Sequence, residues 1–331
     1  MSKVFQPLKI NNLNLKHRII IPPMATRTAG NNGEVTEATL KHYQRLTESK
    51  LVSLIILEHA YVNRQGKASL RSPQLSLGSN ADQVGLKKLI NLVLDNDAYF
   101  LAQLNHAGSS ADVSLDYLKG PSAIVNPKET RLPQALTEQE IKTIIEDFKN
   151  SALLAYNLGF NGIEIHGAHG FLVNQFLSPL TNQRNDYYGG SLTNRQNFLL
   201  EIIRAIKNEL PADFPVFVRL AATDFHPDGI NLADTIDTAR KLSDLNIAAL
   251  HISGSFFGYN HPNLTPPGYF KEITSTLKAS LKLPIILTGG ITSLAEAETL
   301  LEKEAADLIG IGRKILQNPK WIKDNLKRAD D

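Results

Sequence analysis

The chain has 331 residues, 42% hydrophobic and 21% charged, with a formal net charge of +2. That is ordinary globular composition with ample length for a full core, and it argues against a nucleic-acid surface or an acidic tail. There is no cysteine, so disulfides, iron–sulfur clusters and cysteine-ligated zinc are excluded and nothing argues for secretion.

The first residues, "MSKVFQPLKI", carry no signal-peptide apolar region, and no run approaches the roughly 18 apolar residues of a membrane span. The expectation is a soluble, cytoplasmic protein acting on a small molecule, with no nucleic-acid or membrane partner and an open oligomeric state.

In chain order, strand signals fall at 18–24 ("RIIIPPM"), 52–60, 98–106, 162–167 ("GIEIHG"), 215–222, 248–254, 284–290 and 306–312. Helical patterns lie between them, at 37–48 and 82–94 first. Thr137 and Glu140 form a capping-box pair that opens the next helix, and Gly159 suits a left-handed cap that ends it. In the helix over 194–210, Leu199, Ile202, Ile203 and Ile206 share one face. Further helices fit 232–245, 270–281, 294–303 and 319–328. Strands alternating with helices imply right-handed βαβ units and a parallel sheet. Eight such strands predict an α/β fold of one domain over 1–331, a single (β/α)8 TIM barrel. An open doubly wound sheet is the alternative, but its usual early Gly-x-Gly-x-x-Gly turn is absent. The segment 107–134 is too long for a plain barrel connection and predicts an extended loop after strand three.

Active sites of such barrels sit at the C-terminal strand ends, and the ends here carry unusual residues. They are Pro22, Pro23, Met24 and Ala25; Glu58 and His59; Gln103; His166 with His169; Arg219; Gly289 and Gly290; and Gly312 with Arg313. Glycines after strands seven and eight let backbone N–H groups approach an anion, and Arg313 can add a charge-assisted contact. That spacing reads as a phosphate site; tight turns with a solvated arginine are the alternative. The two histidines admit three readings: part of a metal site, structural imidazoles, or paired donors holding an oxygen. Glu164 shares a strand face with His166, but no carboxylate completes a ligand set by spacing. An arginine on a barrel strand needs a polar or anionic partner. Gln103 can present an amide to a heteroaromatic ring. With the phosphate site, these residues suggest a phosphorylated planar cofactor across the barrel mouth.

The run "HGAHGFLVNQFLSPLTNQRNDYYGGSLTNR", with "FQPLKINNLNLKHRIIIPPMAT", "LEHAYVNRQGK", "QLNHAG", "VRLAATD", "TGGI" and "IGIGR", resembles the old yellow enzyme family of FMN-dependent ene-reductases. The resemblance covers nearly the whole chain. It implies FMN as cofactor and NADH or NADPH as electron donor. It implies that Pro22, Pro23, Met24, Ala25 and the segment around His59 line the flavin. Gln103 would meet its pyrimidine edge, and Arg219 the locus where negative charge develops. Gly289, Gly290, Gly312 and Arg313 would hold the phosphate. His166 and His169 would bind the oxygen of an activated alkene such as an enone, which the reduced flavin saturates.

Three positions depart from the family pattern. Phe171 stands where relatives usually place a tyrosine that supplies a proton. Tyr61, Tyr259 and Tyr269 are substitutes by type only. Ala25 stands where a threonine or cysteine tunes the flavin. Arg27 stands where one branch has an aromatic substrate contact, which favours anionic substrates; a solvated loop arginine is the alternative. Phe171 keeps open a flavin-dependent isomerase, a nitro or other-acceptor reductase, and a flavin-binding protein with little catalysis. A phosphate-sugar barrel enzyme without flavin is the non-redox reading.

Overall fold

The computed structural model describes residues 2–68, 73–112, 117–258 and 264–326. Eight parallel strands form its centre: β1 (Ile19–Ile20), β2 (Leu54–Ile56), β3 (Tyr99–Asn105), β4 (Gly162–Gly167), β5 (Val216–Ala221), β6 (Ala249–Ser253), β7 (Ile285–Thr288) and β8 (Leu308–Gly310). Each pairs with its chain neighbour, and β8 pairs with β1. The ring is completed where Ile21 N–H donates to the Leu54 carbonyl (2.9 Å) and Ile56 N–H to the Ile21 carbonyl (3.0 Å). Helices such as Glu138–Leu158 and Leu192–Glu209 pack outside. The expected (β/α)8 barrel is the architecture found.

Period-two alternation sets what faces inward. Val216, Val218 and Leu220 of β5 join the outer core under the helices, while Phe217 joins an inner cluster with Ile20, Leu54, Leu101, Ala249, Ile286 and Leu308. Ile10, Leu13 and Leu15 from the hairpin Leu8–Ile10/Leu13–Leu15 extend that inner cluster, and Asn14 N–H reaches the hydroxyl of Tyr99 at the start of β3. The hairpin thus plugs the N-terminal end of the barrel with hydrocarbon. Two residues further along the inward faces, the lining turns polar: Gln103, His166, Arg219 and His251, all buried. The change in character along the barrel axis puts the polar end at the C-terminal side.

Several expected elements are shorter. Strand 18–24 stops early because Pro22 and Pro23 have no N–H to give the ladder. Segment 52–60 splits into β2 and a separate pair, Ala60–Tyr61, bonded to the end of β3. The helix at 319–328 is described as Trp321–Leu326, and residues beyond 326 lie outside the described ones. The capping box of Thr137 and Glu140 and the left-handed Gly159 (φ 97°) are both present. The loop 107–134 holds a short turn, Gly108–Ser110, and strand Lys119–Gly120, which pairs with Gln134–Ala135; residues 113–116 lie outside the described ones. Among the described residues no helix is long and apolar enough to cross a membrane.

Candidate functional site

A cavity of ≈ 600 Å³ opens at the C-terminal end of the barrel, between β1, β5, β7 and β8. Of the residues singled out in the sequence, Pro22, Pro23, Met24, His169, Arg219, Gly289, Gly290, Gly312 and Arg313 line it. One end is bare backbone beside cations. Gly289 and Gly290 have φ of 107° and 70°, a region that side chains rarely adopt. A Cβ on Gly312 would sit 2.7 Å from Met24 Sδ, one on Gly290 2.8 Å from Pro266 Cβ, and one on Gly310 would collide with the Thr288 methyl. A side chain at Gly290 would be strained and meet Pro266, and one at Gly312 would have to displace Met24, so bare main chain faces the cavity here. Arg313 and Lys314 line the same end, and Arg313 Nη2 donates to the Tyr269 hydroxyl at 3.2 Å. Backbone donors with two cations suit a phosphate. The residues present therefore fit a phosphorylated cofactor such as FMN.

Next to the cavity β4 delivers the imidazoles, and His169 lines it. His166 is its next-to-last residue, and the chain then turns sharply through His169 (φ 60°) and Gly170 (φ 71°). His169 N–H donates to the Gly254 carbonyl, which ties this turn to the end of β6. His169 Nε2 lies 2.7 Å from Ser253 Oγ, which also accepts from Arg219 Nη2 at 3.0 Å. The ring centroids of His166 lie 5.0 Å from His169, 5.1 Å from Phe171 and 6.2 Å from His59. His59 and Phe171 are 5.5 Å apart. Burial pushes His166 and His169 well below the ordinary imidazole range, and the neighbouring Arg219 adds to it. His59 is held at about 4 by burial, then by Arg219 and Lys128. The cluster is therefore neutral at pH 7. The N–H of Ala168 points to His166 Nδ1 at 3.4 Å, which assigns the proton of a neutral His166 to Nε2.

Beneath the imidazoles lies a fully buried relay. Gln103 Nε2 donates to Glu164 Oε1 at 2.6 Å, and His251 Nδ1 lies 2.8 Å from Glu164 Oε2. A carboxylate only accepts, so the amide nitrogen of Gln103 must face Glu164. The amide's oxygen and second N–H have no protein partner among the described residues. Glu164 is committed to this relay, and among the described residues no group of three or more His, Cys, Asp or Glu side chains is placed to hold a metal ion.

The remaining singled-out residues sit apart from the cavity lining. Ala25 and Arg27 are exposed on the loop after β1, with Arg27 at φ 60°. That loop is held by Glu58, whose carboxylate accepts from Thr26 N–H (2.9 Å) and Thr26 Oγ1 (2.6 Å). Burial raises Glu58 to about 7 despite these bonds. The Tyr61 hydroxyl donates to the Asn32 carbonyl and the Tyr269 hydroxyl accepts from Arg313; Tyr259 lies outside the described residues. The sequence reading missed Lys128, Ser253, Gly310 and Lys314. Gly310 and Lys314 flank the strand-eight motif that was noticed, whereas Lys128 comes from the long loop, where no periodicity marks it.

The profile of the NADH:flavin oxidoreductase / NADH oxidase family matches residues 3–329. The chain belongs to this family. It is an enzyme of the old yellow enzyme group, a flavin oxidoreductase with FMN as cofactor and a reduced nicotinamide as donor. An NADPH dehydrogenase of Bacillus cytotoxicus is 35% identical over 319 residues, 96% of this chain and 90% of that protein. The structure of the old yellow enzyme homologue from Zymomonas mobilis superposes with a TM-score of 0.84 at 24% identity, over 98% of this chain and 93% of that one. A 2-naphthoyl-CoA reductase superposes with a TM-score of 0.92 at 24% identity; this chain is covered to 99% and spans 52% of that one. These last two bear on the fold alone.

Proposed function

We propose that this oxidoreductase uses NADH or NADPH to reduce the C=C bond of activated alkenes of the enone type. The observation that carries the reading is the neutral pair His166 and His169, 5.0 Å between ring centres, with His169 lining the same cavity as the glycine-lined cation site. Gly289, Gly290, Gly312 and Arg313 would hold the FMN phosphate. Pro22, Pro23, Met24 and Ala25 would flank the ring, with the segment at His59. Gln103 would meet the pyrimidine edge with its unpaired oxygen and N–H, and Arg219 would face the part of the ring that gains negative charge. Bound there, FMN supplies the hydride that the β-carbon of the alkene accepts. Neutral imidazole N–H groups preorganised on the carbonyl oxygen stabilise the enolate-like charge, worth ~3 kcal/mol per donor. His166→Ala should therefore slow reoxidation of the reduced enzyme by cyclohexenone about a hundredfold. A rate within threefold of the parent would reject the clamp.

Phe171 favours a second reading on the same barrel. A phenyl ring has no proton for the α-carbon, so an isomerase or a reductase of another acceptor loses nothing by it. Product formed without net NAD(P)H use would identify the isomerase. The reading takes residues 1–331 as one FMN-binding barrel domain of a cytoplasmic enzyme, consistent with a cysteine-free chain.

A further inference from the structure

We propose that Lys128 makes this enzyme select alkenes that carry a carboxylate, by placing a fixed ammonium group beside Phe171. The proposal rests on the alkene-reductase reading and names its substrate class. Lys128 arrives from the long loop after β3. Its stem lies over the β4 turn, so close that a Cβ on Gly170 would stand 3.1 Å from Lys128 Cδ. Its Nζ donates to the His169 carbonyl at 2.8 Å and sits 5.4 Å from the centre of the Phe171 ring. An ammonium over an aromatic face is held there by the ring quadrupole. Lys128 is exposed, and these two contacts hold its ammonium beside the two imidazoles.

Burial lowers the pKa of the Lys128 ammonium and the neighbouring Glu129 carboxylate raises it, but the two form no ion pair. Among the described residues no carboxylate lies within ion-pair distance of Lys128. The charged groups that act on His59 are Arg219 and Lys128, both cations, and the same two act on His169. Glu164, the buried acid beneath the imidazoles, is taken up by Gln103 and His251. The substrate end is therefore electropositive around neutral imidazoles. A neutral enone uses the imidazoles and leaves the ammonium without a counter-charge. A keto acid or unsaturated diacid uses both, with one oxygen on the histidines and a carboxylate on Lys128.

The test is calorimetric binding of two unreactive ligands to the oxidised, FMN-loaded protein: levulinate and its methyl ester, which differ in charge at one end. The expected result is a preference of about tenfold for levulinate, in the range of a partly exposed charge-assisted contact. Lys128→Met should abolish that preference while the ester binds within twofold of the parent, and Lys128→Arg should keep it. No preference in the parent, or a preference that survives Lys128→Met, would overturn the proposal. Loss of ester binding in Lys128→Met would show a prop for the His169 turn instead, and would equally overturn it. Ester binding that His166→Ala leaves unchanged would remove the histidine clamp on which the whole reading stands.

Discussion

Phe171 packs edge-on against His166 and tilted against His59, with Lys128 over its face. It is a full member of the site that lacks one atom of function. Restoring that atom is a direct test: Phe171→Tyr should accelerate reoxidation of the reduced enzyme by a neutral enone by about 10²-fold, the lower end of a general acid's contribution. An unchanged rate would mean that protonation of the α-carbon does not limit turnover. Arg313 makes a complementary test in the cavity. It bonds Tyr269 and otherwise offers its guanidinium to the glycine-lined end. Arg313→Ala should weaken FMN retention about tenfold or more, measured by equilibrium release on dilution, since a charge-assisted contact is worth about 1.5–3 kcal/mol. Undiminished retention would leave Arg313 as a solvated turn residue.

Between strands, register decides what the residues can do. Gln103 on β3 and Glu164 on β4 are direct partners in the ladder, as are His166 and Arg219 on β4 and β5. That Glu164 and His166 share a face was legible from period two alone. That Glu164 orients Gln103 was not, because pairing across strands needs the register. Glu164→Gln keeps the shape but lets the Gln103 amide turn over. It should lower thermal stability by the equivalent of about 1–3 kcal/mol and weaken FMN binding in the same variant. Stability lost with FMN affinity unchanged would separate the relay from the cofactor. The glycine and histidine motifs at the strand ends were legible because few other physical roles demand those residue types there. Lys128 was not, since it reaches the site through a long loop whose path no local pattern encodes. The hairpin plug left a signal that went unused: Leu8, Ile10, Leu13 and Leu15 alternate around Asn11-Asn12, and Asn11 takes φ 49° at the turn.

For the whole barrel, a polar cluster buried without charge has consequences for stability. His59 and His106 are depressed to about 4 and about 3, His106 by burial alone, and His166 and His169 lie well below 6.5. The unfolded chain takes up protons first. These groups' contribution is therefore complete above pH 6.5 and falls as pH drops toward 4 and 3, by up to ~1.4 kcal/mol per pH unit for each histidine. Glu58, raised to about 7, runs the other way: its contribution is complete below pH 4.5 and is lost as pH rises through 7. Seven lowered histidines among the described residues (His17, His42 and His251 beside these four) against the raised Glu58, Asp147 and Asp224 predict a melting temperature that drops between pH 6.5 and 4. A flat profile across that interval would contradict neutral burial of the cluster.

The proposed function sets a phosphate-held flavin beside a histidine clamp for an activated alkene at the barrel mouth. One anaerobic absorbance series tests it most directly: the purified protein, then with NADPH or NADH, then with cyclohexenone. The expected result is a flavin spectrum that bleaches with the nicotinamide and recovers with the alkene. A flavin that bleaches and stays bleached in excess enone would contradict it.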